Sequence, residues 1–110
     1  MRAVVQRVSD ASVTVDGKIV GAIHHGLLVY LGVERHDGEE ALVYMANKIP
    51  RIRLFKDEEG KMNKSVSQVG GAILVISQFT LCADMQKGNR PSFNPAADPE
   101  VAQVMYERFV

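Results

Sequence analysis

Cysteine is nearly missing from this 110-residue chain: Cys82 stands alone, so no internal disulfide can form, and a reducing compartment fits. Net charge is missing as well, because thirteen Lys and Arg balance thirteen Asp and Glu. That balance excludes the broad basic footprint of a protein that grips long stretches of phosphate backbone, but not one that binds only the end of a nucleic acid. No apolar run approaches the roughly 20 residues needed to cross a bilayer. At the N-terminus Arg2, Gln6 and Arg7 interrupt the apolar residues where a signal peptide would be continuous. A soluble, cytoplasmic protein without membrane contact is expected. Repeats, linkers and low-complexity segments are absent, and so is any glycine-rich loop of the Walker or dinucleotide type. His24-His25 has no carboxylate or thiol at ligand spacing, so a turn is expected there and not a metal site.

What remains is ordinary globular composition, 46% hydrophobic and 24% charged, in a length that suits one domain over residues 1–110. Ala3–Val8 and Ala11–Val15 alternate as strands do and are rich in β-branched residues. Asp16-Gly17 is a hairpin turn leading into Lys18–Ile23, and His24-His25-Gly26 turns the chain into the apolar strand Leu27–Val33. These connections are too short for crossover helices, which predicts antiparallel pairing. Asp37 reads as the N-cap of a helix, with Glu40 three residues on and Leu42, Met45, Ala46 and Ile49 on its apolar face. Pro50 ends or kinks that helix. Alternation resumes over Arg51–Phe55, a charged turn follows through Lys61, and Ser65–Val69 and Ala72–Ser77 read as strands separated by Gly70-Gly71.

Residues 84–97 read as loop. Asp98-Pro99 opens a second helix with Pro99 at its first position and Val101, Val104, Met105 and Phe109 as its apolar stripe. Phe109-Val110 fall in mid-pattern, without a glycine cap. The pattern predicts a chain whose C-terminal strands are missing.

The most telling stretch is Ala72-Ile-Leu-Val-Ile-Ser77-Gln78-Phe79-Thr80-Leu81. A buried strand ends in three hydrogen-bonding side chains around one aromatic. Such groups must be paired or offered to a ligand, since burying them unmet costs roughly 1–3 kcal/mol each. Capping of local backbone would satisfy them, and so would a bound substrate. This stretch, with Arg90-Pro91-Ser92-Phe93 and the opening Arg2-Ala-Val-Val-Gln-Arg7-Val8, resembles the D-aminoacyl-tRNA deacylases. So, in order, do Gly26–Glu34, Arg53-Leu-Phe55, Gly60-Lys-Met-Asn63 and Gly70–Ile76, and the resemblance therefore spans nearly the whole chain.

The resemblance implies an α/β domain of mostly antiparallel, β-barrel-like sheets with two helices. It implies hydrolysis of the ester between a D-amino acid and the acceptor end of tRNA, by a homodimer with pockets at the subunit interface. Catalysis would rest on Gln78, Phe79 and Thr80, largely through backbone amides near Phe79 and Thr80 and the 2′-hydroxyl of the terminal adenosine. Backbone N–H groups stabilise an oxyanion without any titrating side chain. Ser77 would bind substrate. Arg7, by its pattern a solvent-facing charge, would help hold a loop of the partner. Arg90 would contact phosphate near the tRNA end, or pair with a carboxylate such as Asp84.

One departure stands out. The family carries a Gly-Pro dipeptide with a cis bond near its C-terminus, inserted into the partner's pocket against L-amino acids. The four prolines here follow Ile49, Arg90, Asn94 and Asp98, and this again predicts an incomplete chain. Two rivals stay open: a non-catalytic nucleic-acid-binding module of the same fold, and an unrelated esterase using Thr80 as a conventional nucleophile. Against the latter, no histidine lies near Thr80 in sequence. Cys82 is expected to pack rather than react.

Overall fold

The computed structural model describes residues 1–82 and 96–109 and, for Phe79, the backbone alone. In chain order these form β1 (Arg2–Val8), β2 (Ala11–Val15), β3 (Lys18–Ile23), β4 (Gly26–Gly32), α1 (Glu39–Lys48), β5 (Phe55–Lys56), β6 (Met62–Lys64), β7 (Ala72–Ser77) and α2 (Pro99–Phe109), with short 3-10 turns at Ile49–Arg51 and Phe79–Cys82. β4 is the middle strand of a sheet ordered β1-β4-β7, and β2-β3 and β5-β6 form two separate antiparallel pairs. The backbone bonds from Ala72 N–H to His25 (3.2 Å) and from Gln78 N–H to Leu31 (2.8 Å) advance equally along both strands, so β7 runs parallel to β4. A parallel pair needs a long crossover, and α1 lies in it. The α/β class with two helices and mainly antiparallel pairs is what the residues predict. Among the described residues these sheets stay open and close no barrel.

The described chain divides into two compact units: Val5–Val29 with Asn47–Val75, and Met1–Val4 with Tyr30–Ala46 and the described residues from Ile76 on. In the first, Asp16 (φ 51°) and Gly17 (φ 77°) take the left-handed backbone of a type I′ turn. The turn sets Val15 opposite Lys18 and Ala11 opposite Ile23, with one register shift between Val13 and Thr14. Leu27, Val29, Ile49, Phe55 and Val66 are its buried apolar residues.

Two expected strands fail here for the same reason, because their backbone groups are taken locally. Over Arg51–Phe55, Ile52 N–H bonds Ile49 and Leu54 N–H bonds Ile52, leaving only Phe55–Lys56 to pair. Over Ser65–Val69, the Gln68 side chain takes the Ser65 amide (2.8 Å), and Val69 N–H and Gly71 N–H fold back onto Ser65 and Val66. Side chains that bond nearby backbone compete with ladders in this way. Gly70, at φ 68°, completes the turn.

The charged turn after β5 is organised by Asp57. Its carboxylate accepts from the Lys61 amide, the Asn63 carboxamide and the Glu59 amide, each at 2.9 Å. The Lys61 bond first, then the Asn63 bond, hold its pKa below the ordinary aspartate value. A carboxyl with a lowered folded pKa contributes stability that is fully present above its unfolded pKa and fades as pH falls through the folded one. Stability measured by urea melts is expected to decline below about pH 4, and Asp57→Ala should flatten that decline; an unchanged pH profile would contradict it.

In the second unit, Val33, Leu42 and Met105 form a buried cluster, with Met1, Ala97, Ala102 and Phe109 packed against it. Fully burying such side chains stabilises by roughly 1.5–3 kcal/mol each. α2 starts with Pro99 at its first position, as expected, and the Ala102 amide bonds the Asp98 carbonyl at 2.9 Å. Its buried stripe is shifted from the expected one: Met105 and Phe109 face the cluster together with Ala102, while Val101 and Val104 are more than half exposed. Asp37 does not cap α1. Its carboxylate accepts from the Glu34 amide (2.7 Å) and from the α-amino group of Met1, and the helix begins two residues later at Glu39. Competition from a nearby cation and a tight turn outweighs the capping pattern.

Candidate functional site

β7 ends at Ser77, and within two residues the chain enters the 3-10 turn Phe79–Cys82. Gly32 makes this turn possible. A Cβ built there would lie 3.0 Å from Cys82 Sγ, 3.1 Å from the Gln78 carbonyl oxygen and 3.1 Å from Leu81 Cβ. The turn thus sits directly against the end of β4, and the bond from Gln78 N–H to Leu31 fixes where it begins. Gly32 carries only a faint sequence signal, a glycine closing an otherwise apolar strand, which often marks close backbone approach.

The polar groups then fall into place. Gln78 Nε2 donates to Thr80 Oγ1 at 2.6 Å, while Ser77 and Thr80 are exposed. The first backbone bond of the turn runs from Leu81 N–H to the Gln78 carbonyl, 3.4 Å. Phe79 and Thr80 therefore present their N–H groups before the turn's own acceptors begin, as the first amides of any helical turn do. The partner of the Thr80 hydroxyl is a carboxamide. In neither orientation can a carboxamide take up a proton as a general base.

Cys82 is fully buried, and its thiol donates to the Val33 carbonyl at 3.6 Å. Burial first, then the charge of Glu34, push its pKa up. A thiol held neutral and enclosed is a packing group, not a nucleophile.

Ser77 also lines a cleft of about 470 Å³, whose other walls include Arg35, Asp98 and Gln103 with Ala97 and Ala102. Arg35 and Asp98 form an exposed ion pair across 3.8 Å, a contact of small energetic worth. The structure thus gathers Ser77, Gln78, Thr80 and the Phe79 backbone at one turn. Arg7 belongs to the other unit, where its exposed guanidinium donates to the Leu54 carbonyl at 3.0 Å. Arg90 lies outside the described residues. Of the two adjacent histidines, His25 has its Nε2 bonded to the Val69 carbonyl at 3.0 Å, which gives it a structural task.

Fold and turn together define a small α/β protein with a polar turn at the end of a strand that runs parallel to β4 and is half-buried along its middle, not buried as its apolar run predicts. The chain belongs to the D-Tyr-tRNA(Tyr) deacylase family, whose model matches residues 4–110. It is 59% identical to the D-aminoacyl-tRNA deacylase of Shewanella amazonensis over 110 residues, all of this chain and 76% of that one. To the D-aminoacyl-tRNA deacylase of Koribacter versatilis it is 60% identical over 110 residues, 74% of that protein. Among solved structures, the c-Myc DNA Unwinding Element Binding Protein superposes with a TM-score of 0.92 at 45% identity, covering 99% of this chain and 73% of its own. The DNA in that name concerns that protein.

Proposed function

We propose that this chain hydrolyses the ester joining a D-amino acid to the 3′ end of tRNA, releasing the free D-amino acid and reusable tRNA. Family membership across residues 4–110 carries this reading, and the geometry of the Ser77–Thr80 turn is compatible with it. The amides of Phe79 and Thr80 stabilise the oxyanion that forms as the ester carbonyl is attacked. Gln78 fixes the Thr80 side chain, and Ser77 meets the substrate. The 2′-hydroxyl of the terminal adenosine supplies the remaining polar assistance, so no side chain of the protein has to titrate. Arg7 and Arg90 serve binding, the first by holding a loop of the partner and the second at phosphate. The working unit is a cytoplasmic homodimer, with residues 1–110 acting as one deacylase domain that needs no cofactor. A net charge of zero suits recognition of an end and disfavours a module that binds duplex by charge alone.

The test is release of D-amino acid from D-aminoacyl-tRNA, compared with a simple chromogenic ester. Acceleration of the tRNA ester over buffer is expected, and its absence would overturn the reading. Thr80→Ala should keep turnover within about tenfold of the parent, because a hydroxyl acting as nucleophile would take several orders of magnitude with it. Loss on that larger scale in a folded variant would sink the backbone mechanism and favour a conventional esterase.

A further inference from the structure

Arg2 touches the site turn from outside it. Its Nη1 donates to the Leu81 carbonyl at 3.3 Å, while its Nε donates to Glu34 Oε1 at 3.2 Å. Leu81 lies near the end of the turn Phe79–Cys82, where a helical turn leaves its last carbonyls without partners of its own. The start of the turn is fixed by Gln78 N–H on the Leu31 carbonyl, and its flank by Gly32. Arg2 supplies the matching hold at the far end, and Glu34 sets the plane of its guanidinium.

We infer that Arg2 is a positioning residue for the deacylase site, holding the turn Phe79–Cys82 in register through the Leu81 carbonyl. The inference rests on the function proposed above. In a four-residue turn the peptide planes are coupled, so freedom at the Leu81 carbonyl becomes freedom of the Thr80 and Phe79 amides. The bond is exposed and adds little to stability. Its consequence lies in geometry: misplacing catalytic groups by an ångström costs about a hundredfold in rate. Only a planar guanidinium offers two donors in this fixed fork, whereas a lysine ammonium keeps the charge and loses the fork.

The experiment compares Arg2→Ala, Arg2→Lys, Glu34→Gln and the double variant Arg2→Ala/Glu34→Gln, assayed well below their melting temperatures. For Arg2→Ala, kcat on D-aminoacyl-tRNA should fall between about tenfold and a hundredfold, with KM little changed and the melting temperature close to the parent's. Arg2→Lys should not restore kcat. Glu34→Gln should cause a smaller loss in kcat, and the double variant should have a kcat no worse than that of Arg2→Ala, because Glu34 reaches the turn only through Arg2; its second contact, from the Met1 α-amino group at 3.5 Å, bears on stability and is read in the melting temperature. An unchanged kcat, a rise in KM without loss of kcat, or full recovery with lysine would each overturn the inference; the last two would mean that Arg2 meets the tRNA by charge. Amide hydrogen exchange decides the tether separately from activity. If the parent chain shows no turnover, the proposed function fails. Faster exchange over Phe79–Cys82 in Arg2→Ala would still support the tether, and unaltered exchange would reject it.

Discussion

Gly26→Ala is expected to destabilise the protein by about 3 kcal/mol or more, the upper end of what overpacking costs. A Cβ at this position would come within 1.9 Å of the Ala72 carbonyl oxygen and 2.8 Å of both the carbonyl carbon and the amide nitrogen of Ala72. All three are backbone atoms, so no side chain can swing aside to relieve the overlap. The contact exists because β7 begins alongside the start of β4, with Ala72 N–H bonded to His25 at 3.2 Å. Relief would require separating the two strands where Leu27 and Val29, fully buried, carry the centre of the sheet. In urea melts the midpoint of Gly26→Ala should drop far below that of the parent. A midpoint within experimental scatter of the parent's would show that the two strands do not approach so closely.

The elements legible in the sequence were those specified by neighbours along the chain. Asp16-Gly17 is one, because its two left-handed residues and the flanking alternation demand the same hairpin. Pro99 and Pro50 are others, since a fixed φ and a missing N–H act wherever they stand. The Ser77–Thr80 turn is local in the same sense, since Gln78 bonds Thr80 two residues on, but its pattern alone left backbone capping open, and only the family resemblance points to a site there. Expectations failed where other groups, some nearby and some remote along the chain, competed for the same atoms. Ser65–Val69 has the composition of a strand, yet Gln68 claims the Ser65 amide first. Asp37 has the position of a cap, yet a cation and the Glu34 amide take its oxygens. Val101 and Val104 fit a helical stripe as well as Ala102 does, and only the placement of Leu42 and Val33 decides which side is covered. The contact from Arg2 to Leu81 joins residues 79 apart, and no local rule reaches that far.

Gly32→Val is expected to reduce kcat for D-aminoacyl-tRNA by about a hundredfold, and Gly32→Ala by about tenfold, with the variants still folded at the assay temperature. The three atoms that a Cβ would crowd, Cys82 Sγ, the Gln78 carbonyl oxygen and Leu81 Cβ, all belong to the turn or its entry. Their distances of 3.0 to 3.1 Å are a few tenths short of comfortable contact. Alanine can therefore be accommodated if the turn shifts by that amount, and valine only if it shifts further. Overpacking of this size costs about 1–3 kcal/mol of stability, which a folded domain can absorb. In the proposed mechanism the amides of Phe79 and Thr80 cannot absorb the same shift, because an oxyanion hole works only while its donors stay 2.7–3.1 Å from where the oxygen will be. Gly38→Ala is the control for rate: a Cβ there meets nothing within 4 Å, so kcat should stay near the parent's, with only the modest drop in melting midpoint that alanine brings at the residue before α1. Graded loss of kcat from alanine to valine at position 32, with position 38 silent, is the pattern that a turn pressed against Gly32 requires. Full activity in Gly32→Val would mean that the turn is free to move without consequence, and the amides of Phe79 and Thr80 would then lose their part in the chemistry.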